Sequence, residues 1–193
     1  MFLISCRDLV EATSRLRERG LVVVEAFSVV LAVLAESVGR VALSKMLGLT
    51  ERTVRRVATL LKSGELSWLR DLLKEVATTT ITAPWLTCQP VLYTGLSSEL
   101  LEAVSRRVVL LRDFIVISSG EPSKLEVLGV LKNSELVFPG LVEECAEPYL
   151  RLRGVLPSTS GLLVCWRNYK RFLDDSVLLY SLARLCESES SVE

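Results

Sequence analysis

The stretch from residue 40 to 62, RVALSKMLGLTERTVRRVATLLK, places the strongest constraint on how this chain can fold. Leu43 and Leu47 lie one helical turn apart, Gly48 interrupts the helix, and Thr50 is a typical N-cap for a second helix. The apolar residues of that second helix recur at i, i+3, i+4 and i+7, which predicts one buried stripe. These residues are Val54, Val57, Ala58 and Leu61. The pattern predicts a helix-turn-helix whose second helix spans residues 51–62.

The face of the second helix opposite this stripe is basic. Three arginines and a threonine repeat the helical spacing on that side, namely Arg52, Arg55, Arg56 and Thr59. The small residue Ser44 is placed where two crossing helices approach closely. A helix that packs with one face and presents guanidinium groups with the other has the plan of a recognition helix in the DNA major groove.

This pattern defines a candidate DNA-binding surface. We expect Arg52, Thr53 and Arg56 to contact base edges, because side chains near the start of a recognition helix reach the groove floor. Cations around them are expected to contact phosphates. The complete predicted set is Arg40, Ser44, Lys45, Thr50, Arg52, Thr53, Arg55, Arg56, Thr59 and Lys62. The alternative is a protein-interaction module on the same helix-turn-helix scaffold, which docks an acidic partner and does not bind DNA.

The charge distribution favours a localised interface. The chain has 23 Lys and Arg against 23 Asp and Glu, which argues against a protein that coats nucleic acid non-specifically. Residues 40–74 contain eight Lys and Arg but three Asp and Glu, whereas the flanking segments are neutral to acidic. The positive charge is therefore concentrated around the predicted recognition helix.

No wing is evident directly after the recognition helix. A Ser-Gly pair ends the helix, but the following ELSWLRDLLKEV has leucines at helical spacing and leaves no room for a long hairpin. The wing is therefore either very short or displaced to the β-branched run Thr78–Thr82. An Ala-Pro pair then marks a change in sequence character. We predict an α+β protein with a winged-helix-like helical domain over residues 1–82, its wing short or absent, and a small α+β sheet domain over 83–193.

The C-terminal half alternates between strand and helix signals. Strands are predicted at Gln89–Thr94, Val108–Ile117, Leu125–Leu131, Glu135–Phe138 and Gly161–Trp166. Helices are predicted from Ser97 to Arg106 and from Arg171 to Cys186. We expect this domain to serve dimerisation or the sensing of a small-molecule effector whose identity the sequence does not indicate.

The segment 21–35, LVVVEAFSVVLAVLA, predicts a buried helix. It is shorter than the ~20 apolar residues that span a bilayer, and Glu25 interrupts it, so no membrane association is predicted. A helix that is apolar nearly all round is buried on both sides, here by another subunit or by the C-terminal half. Together with the leucine-rich run 66–73, it favours a homodimer built on one repeated apolar patch.

The five cysteines, at positions 6, 88, 145, 165 and 186, are scattered and odd in number. They predict isolated thiols in a reducing cytoplasm and not a disulfide framework. The chain has no histidine and no CxxC pair, so neither a metal site nor a cofactor is predicted. Asp174-Asp175 is interpreted as a complement to a helix dipole and Arg112-Asp113 as an ion pair at a strand edge. Glu143-Glu144 is either a solvated charge pair or a weak metal site, and no catalysis is expected.

The run VGRVALSKMLGLTERTVRRVATLLKSG resembles the helix-turn-helix of an uncharacterised archaeal family of winged-helix-like proteins. The segment LLRDFIVISSG and the hairpin that ends in LVFPG resemble the C-terminal half of the same family. The resemblance implies a DNA-binding transcriptional regulator in an archaeal cytoplasm. It also implies a C-terminal α+β domain of unknown role, and it supplies no catalytic residues.

Overall fold

A five-stranded antiparallel sheet organises the computed structural model, which describes residues 3–157 and 159–190 of the chain. The strands are β1 (Ala77–Thr80), β2 (Gln89–Thr94), β3 (Leu125–Lys132), β4 (Glu135–Val137) and β5 (Gly161–Trp166). Their order across the sheet is β1-β2-β5-β3-β4. The central strand β5 is buried at every position, because both faces of the sheet are covered.

Helices precede the sheet and are inserted between its strands, so the fold class is α+β as predicted. Before the sheet lie α1 (Cys6–Glu18), α2 (Val23–Ala35), α3 (Arg40–Leu47), α4 (Glu51–Lys62) and α5 (Ser67–Leu73). After β2 come α6 (Ser98–Arg106), α7 (Val108–Ser119), α8 (Glu143–Leu150) with a 3-10 turn at Arg151–Gly154, and α9 (Leu173–Ser190).

The last helix closes the hydrophobic core. Helix α9 packs against α1, α2 and α7, and its apolar side chains Leu178, Leu182 and Leu185 are fully buried. The second side of α2 is therefore covered by the C-terminal half of the same chain. Helix α5 packs against α2 as well, and most of its leucines are buried too. The apolar surfaces that motivated a dimer are thus largely covered within one chain.

The other face of the sheet carries a smaller apolar cluster. The segment that joins β1 to β2, together with α8 and the 3-10 turn, covers Leu92, Leu163 and Val127 of the strands. Phe138 and Tyr149 extend this cluster with ring centroids 5.7 Å apart. A sheet covered on both faces explains why its central strands read as continuous apolar runs.

Strand β1 lies before the predicted domain boundary but belongs to the sheet that follows it. The run Thr78–Thr82, where a displaced wing is expected if the wing is not simply very short, begins in this strand. Strand β1 pairs with β2 from Ala77↔Thr94 to Thr80↔Val91. All four residues of β1 are exposed, because this strand lies at the edge of the sheet. The core is continuous from α1 to α9, and the division at residue 82 stays a prediction.

The predicted strand over Val108–Ile117 is wrong, because this segment forms helix α7. Its β-branched composition favours a strand. The buried residues Leu111 and Ile115 are nevertheless one helical turn apart and face β3 and α9, so packing selects the helix. Gly120, with φ 67°, ends α7 in the left-handed region.

The expectation of isolated thiols is wrong for four of the five cysteines. Cys6 is bonded to Cys186, with Cα atoms 5.3 Å apart, and Cys88 is bonded to Cys165, with Cα atoms 5.5 Å apart. Cys145 is free and exposed. The partners are 180 and 77 residues apart in sequence, so only the tertiary fold brings them together. Across the described residues, no helix has the length and apolar character needed to cross a membrane.

Candidate nucleic-acid interface

Helices α3 and α4 are joined by a short turn that local hydrogen bonds hold in place. Gly48 adopts φ 63° at the end of α3, a conformation that glycine tolerates without strain. The Ser44 hydroxyl donates to the carbonyl of Leu49 at 2.6 Å, across the turn. The Thr50 hydroxyl then accepts a hydrogen bond from the Thr53 N–H at 3.2 Å and caps α4. Ser44 and Thr50, both in the predicted DNA-binding set, thus shape the turn.

One face of α4 packs and the opposite face is open. Val54 and Val57 are buried to 0% and 1% exposure, as the apolar stripe predicts. Arg52, Arg55 and Thr59 are exposed along the other face. Neither arginine forms an ion pair with any residue that the structure describes. Both guanidinium groups are therefore available to an external anion or base.

Arg56 is committed to a contact within the chain. Its two terminal nitrogens donate to the carbonyls of Arg19 and Gly20, at 2.8 and 3.2 Å. These carbonyls lie at the C-terminal end of α1, where a helix leaves acceptors unpaired and carries partial negative charge. Arg56 therefore fastens α4 to α1, a use that the spacing of arginines along α4 does not reveal.

Thr53, the third residue expected at base edges, is only half exposed. Its hydroxyl oxygen lies 3.1 Å from that of Thr50, and its N–H is occupied by the helix cap. Of the three residues expected to read bases, Arg52 alone projects freely from α4. Arg55, one helical turn further along, is the other free guanidinium on that face.

The remaining basic residues divide into free and paired cations. Arg40 and Lys45 on α3 and Lys62 at the end of α4 are exposed, and none forms an ion pair in the part of the chain that the structure describes. By contrast, the Nε of Arg70 lies 3.1 Å from Asp71, and Arg19 lies 2.9 Å from Glu65. The unpaired positive charge of this region is thus concentrated on α3 and α4.

No wing hairpin lies directly after α4. Helix α5 follows within a few residues, and the first strand, β1, is built into the edge of the sheet. The segment between α4 and α5 therefore adds no hairpin to the basic surface of α3 and α4.

A second group of polar residues, around the start of α9, is buried. Oδ1 of Asp175 accepts hydrogen bonds from the hydroxyls of Tyr93 and Tyr169, each at 2.7 Å, while Oδ2 accepts from the Phe172 N–H at 2.9 Å. The indole N–H of Trp166 donates to the Tyr93 hydroxyl at 3.0 Å. Sequence reasoning assigned Asp175 to the helix dipole and missed this network, because its members are far apart in sequence.

The adjacent Asp174 belongs to the same group. Its carboxylate lies 3.1 Å from the Nζ of the buried Lys124, which also donates to the carbonyl of Asn168 at 2.8 Å. Burial raises the pKa of Asp174, and hydrogen bonds from the Lys170 N–H and Lys124 oppose that shift only in part. Burial also raises the pKa of Tyr93 well above its usual value, which keeps its hydroxyl protonated and donating. These groups satisfy one another, and the network is best explained as the anchor of the β5–α9 loop.

The other charged pairs considered in the sequence remain at the surface. Arg112 and Asp113 are exposed on α7 and do not lie on a buried strand. Glu143 and Glu144 are exposed at the start of α8. Among the described residues, no group of three or more acidic or cysteine side chains has a metal-binding arrangement. The absence of catalysis, metal and cofactor stays a prediction.

Comparison with known proteins identifies no family for this chain. No protein-family model matches the sequence, and no curated protein is significantly similar to it. A solved structure, that of a hypothetical protein from Pyrococcus horikoshii OT3, aligns over 88% of this chain and 94% of its own. The TM-score is 0.46 and the sequence identity 19%. A similarity at this level supports no inference about function.

Proposed function

We propose that this protein is a DNA-binding transcriptional regulator in which α3 and α4 act as a helix-turn-helix. The observation that carries the proposal is the pair of exposed, unpaired guanidinium groups of Arg52 and Arg55 on the face of α4 opposite buried Val54 and Val57. With α4 in the major groove, these two arginines donate to the O6 and N7 atoms of guanine.

The surrounding cations bind the phosphates on either side of the groove. Arg40 and Lys45 extend from α3 and Lys62 from the end of α4, so the free positive charges flank the reading helix. Each phosphate contact releases condensed counterions. A dimer that neutralises about 6 phosphates should therefore give a slope of roughly −5 in a plot of log affinity against log salt concentration.

Fluorescence anisotropy with labelled duplexes, selected from a randomised pool, tests the proposal. The double variant Arg52→Ala/Arg55→Ala should lower the affinity for the selected duplex at least ~10-fold and flatten its preference over random duplex, since each bidentate base contact is worth roughly 1–3 kcal/mol. Lys62→Ala should instead weaken binding to all duplexes alike and reduce the salt slope by about 1.

The matched control removes two exposed arginines elsewhere, in Arg7→Ala/Arg151→Ala. This control has the same change of net charge and should bind the selected duplex like the parent protein. Equal losses in both double variants would show that only net charge matters, and a salt slope near zero would show that the protein does not bind DNA.

We further propose that the DNA-binding form is a homodimer and that helix α7 forms its two-fold interface. Val109 and Ile117 on α7 are 67% and 65% exposed, and Arg112 and Asp113 lie exposed between them. An isologous contact uses the same patch twice. A two-fold axis near the middle of α7 would therefore place Arg112 of one protomer beside Asp113 of the other.

Light scattering after size exclusion measures the oligomeric state directly. The parent protein should give twice the 21.4 kDa chain mass, and Val109→Glu/Ile117→Glu should give the chain mass with an unchanged circular dichroism spectrum. The exposed Val137→Glu serves as the control and should remain dimeric. A parent protein that stays at 21.4 kDa on concentration contradicts the dimer.

We place the regulator in the cytoplasm, where its DNA would be. Disulfides rarely persist in a reducing cytoplasm, although the intracellular proteins of hyperthermophilic archaea are rich in them. The two bridges are compatible with a cytoplasmic location only in a cell of that kind.

A protein-interaction module is the second candidate, favoured by the lack of a wing next to α4 and by the balanced total charge. In that case the same cations dock an acidic protein surface. Capture on the immobilised protein, with and without nuclease treatment of the lysate, separates the two functions. A partner retained after nuclease treatment and lost in Arg52→Ala/Arg55→Ala supports the module.

A further inference from the structure

A groove of about 570 Å³ opens between α2, α3, α4 and α5, on the side of α4 that faces away from α1. Its volume lies within the range of sites that hold small molecules, roughly 300–1,000 Å³. The walls are aliphatic, with Leu34 from α2, Leu43 from α3, and Ala58 and Leu61 from α4. The groove is therefore large enough and apolar enough to hold an organic ligand.

Part of this apolar wall is exposed to water. Val33 on α2 and Val38 on the α2–α3 connection both line the groove and are 41% and 38% exposed. Exposure of aliphatic side chains to water is unfavourable. Burial of Val33 and Val38 by an apolar ligand would therefore favour binding. All the described residues that line the groove lie between positions 30 and 70, whereas the other side of α2 packs against α9.

The groove also has a consistent charge. Arg40, Lys62 and Arg70 line it, and no acidic side chain is among the described residues that do so. Arg40 and Lys62 form no ion pair within the described part of the chain, and Arg70 contacts only the exposed, neighbouring Asp71. Gly39 and the start of α3, which no side chain caps, lie at the same groove. The site thus combines aliphatic walls with three cations, of which Arg40 and Lys62 have no ion-pair partner among the described residues.

We propose that this groove binds a small amphipathic anion, with an apolar body against the aliphatic wall and a carboxylate, sulfonate or phosphate group among the three cations. A neutral apolar molecule leaves Arg40 and Lys62 without an ion-pair partner, and a small inorganic anion leaves the apolar wall in water. Only a ligand with both parts satisfies both features of the groove. The site lies in the helical N-terminal region, whereas the sequence favoured an effector site in the C-terminal domain.

Two dyes of nearly the same shape test the proposal without any DNA. The amphipathic anion 1-anilinonaphthalene-8-sulfonate should bind the folded protein saturably, with a rise in emission. N-phenyl-1-naphthylamine, which has the same apolar body and no sulfonate, should bind more weakly. The variant Arg40→Gln/Arg70→Gln should weaken binding of the anionic dye roughly 5- to 10-fold and leave the neutral dye unaffected, since partly exposed ion pairs contribute modestly.

A filling variant and a control complete the test. Ala58→Trp places a large side chain in the groove and should abolish saturable binding of both dyes, with circular dichroism confirming the fold. Arg7→Gln/Arg151→Gln removes equal charge elsewhere and should bind like the parent protein. Equal affinity for both dyes, or anionic-dye binding unchanged in Arg40→Gln/Arg70→Gln, overturns the proposal. Because no DNA is present, a failure here is independent of the proposed DNA binding.

Discussion

Removing the bridge between Cys6 and Cys186 is expected to destabilise the protein strongly, because it joins the first helix to the last. The bridge closes a sequence separation of 180 residues, within which the Cys88–Cys165 bridge already closes 77. Subtracting the inner loop leaves an effective loop of roughly 100 residues, for which loop-closure entropy predicts about 4.7 kcal/mol. Measured disulfide contributions are commonly smaller, so we expect Cys6→Ala to lower the free energy of unfolding by about 3–4 kcal/mol.

The assay is thermal or denaturant unfolding in oxidising and in reducing buffer. For a chain of this length, a loss of 3–4 kcal/mol corresponds to a fall in Tm of roughly 10 °C. In the reducing buffer the parent and Cys6→Ala both lack both bridges, so their Tm values should coincide there. Cys145→Ala is the control, because Cys145 is free and exposed, and its Tm should equal that of the parent in both buffers.

A count of reactive thiols tests whether the two disulfide bridges form. The denatured, unreduced protein should expose one reactive thiol, that of Cys145, whereas five reactive thiols would show that the bridges do not form. If one thiol is found but Cys6→Ala unfolds like the parent, then the chain ends are held together without the bridge. Either result would refute the reasoning from loop closure.

Three further predictions concern single contacts, and a fourth concerns the effect of a bound ligand on DNA binding. Arg56→Ala should lower the free energy of unfolding, measured by chemical denaturation, by about 0.5–1.5 kcal/mol, because the carbonyls at the end of α1 lose their donors. Thr59→Ala, on the same helix face, is the control and should leave that free energy nearly unchanged. Tyr93→Phe should cost about 1–3 kcal/mol by the same measurement, since it removes the acceptor of the Trp166 N–H and a donor to a buried carboxylate. Desolvation raises the pKa of Glu126, but hydrogen bonds donated by Arg167 and neighbouring groups outweigh it and leave the pKa below its usual value. The stabilisation by this carboxylate is therefore present at neutral pH and is lost as the pH falls through its folded-state pKa. The stability difference between the parent and Glu126→Gln should therefore be larger at pH 7 than at pH 3. If both proposals hold, saturating 1-anilinonaphthalene-8-sulfonate should weaken duplex binding in the anisotropy assay, because Arg40 and Lys62 serve both the groove and the phosphate contacts. An unchanged affinity for the duplex would show that the two sites are not coupled.

Elements whose signals are local can be predicted from the amino-acid sequence alone. The apolar stripe through Val54 and Val57, the glycine at position 48 and the cap at Thr50 lie within a few residues of one another, and the structure has α3 and α4 at these positions. The strands β2, β3 and β5 follow from short apolar runs for the same reason. The exposed position of Arg52 and Arg55 also follows from helical geometry alone.

Other features depend on contacts that exist only in the folded chain. Helix α7 has the composition of a strand, but packing of Leu111 and Ile115 against neighbouring elements selects the helix. Arg56 has the spacing of a DNA-contacting residue, yet it donates a hydrogen bond to the carbonyl of Gly20, 36 residues away along the chain. The disulfides depend on the docking of α9 on α1 and on the register of β5. In each case the deciding contact joins residues far apart in the chain, and its energy becomes available only after the fold has brought them together.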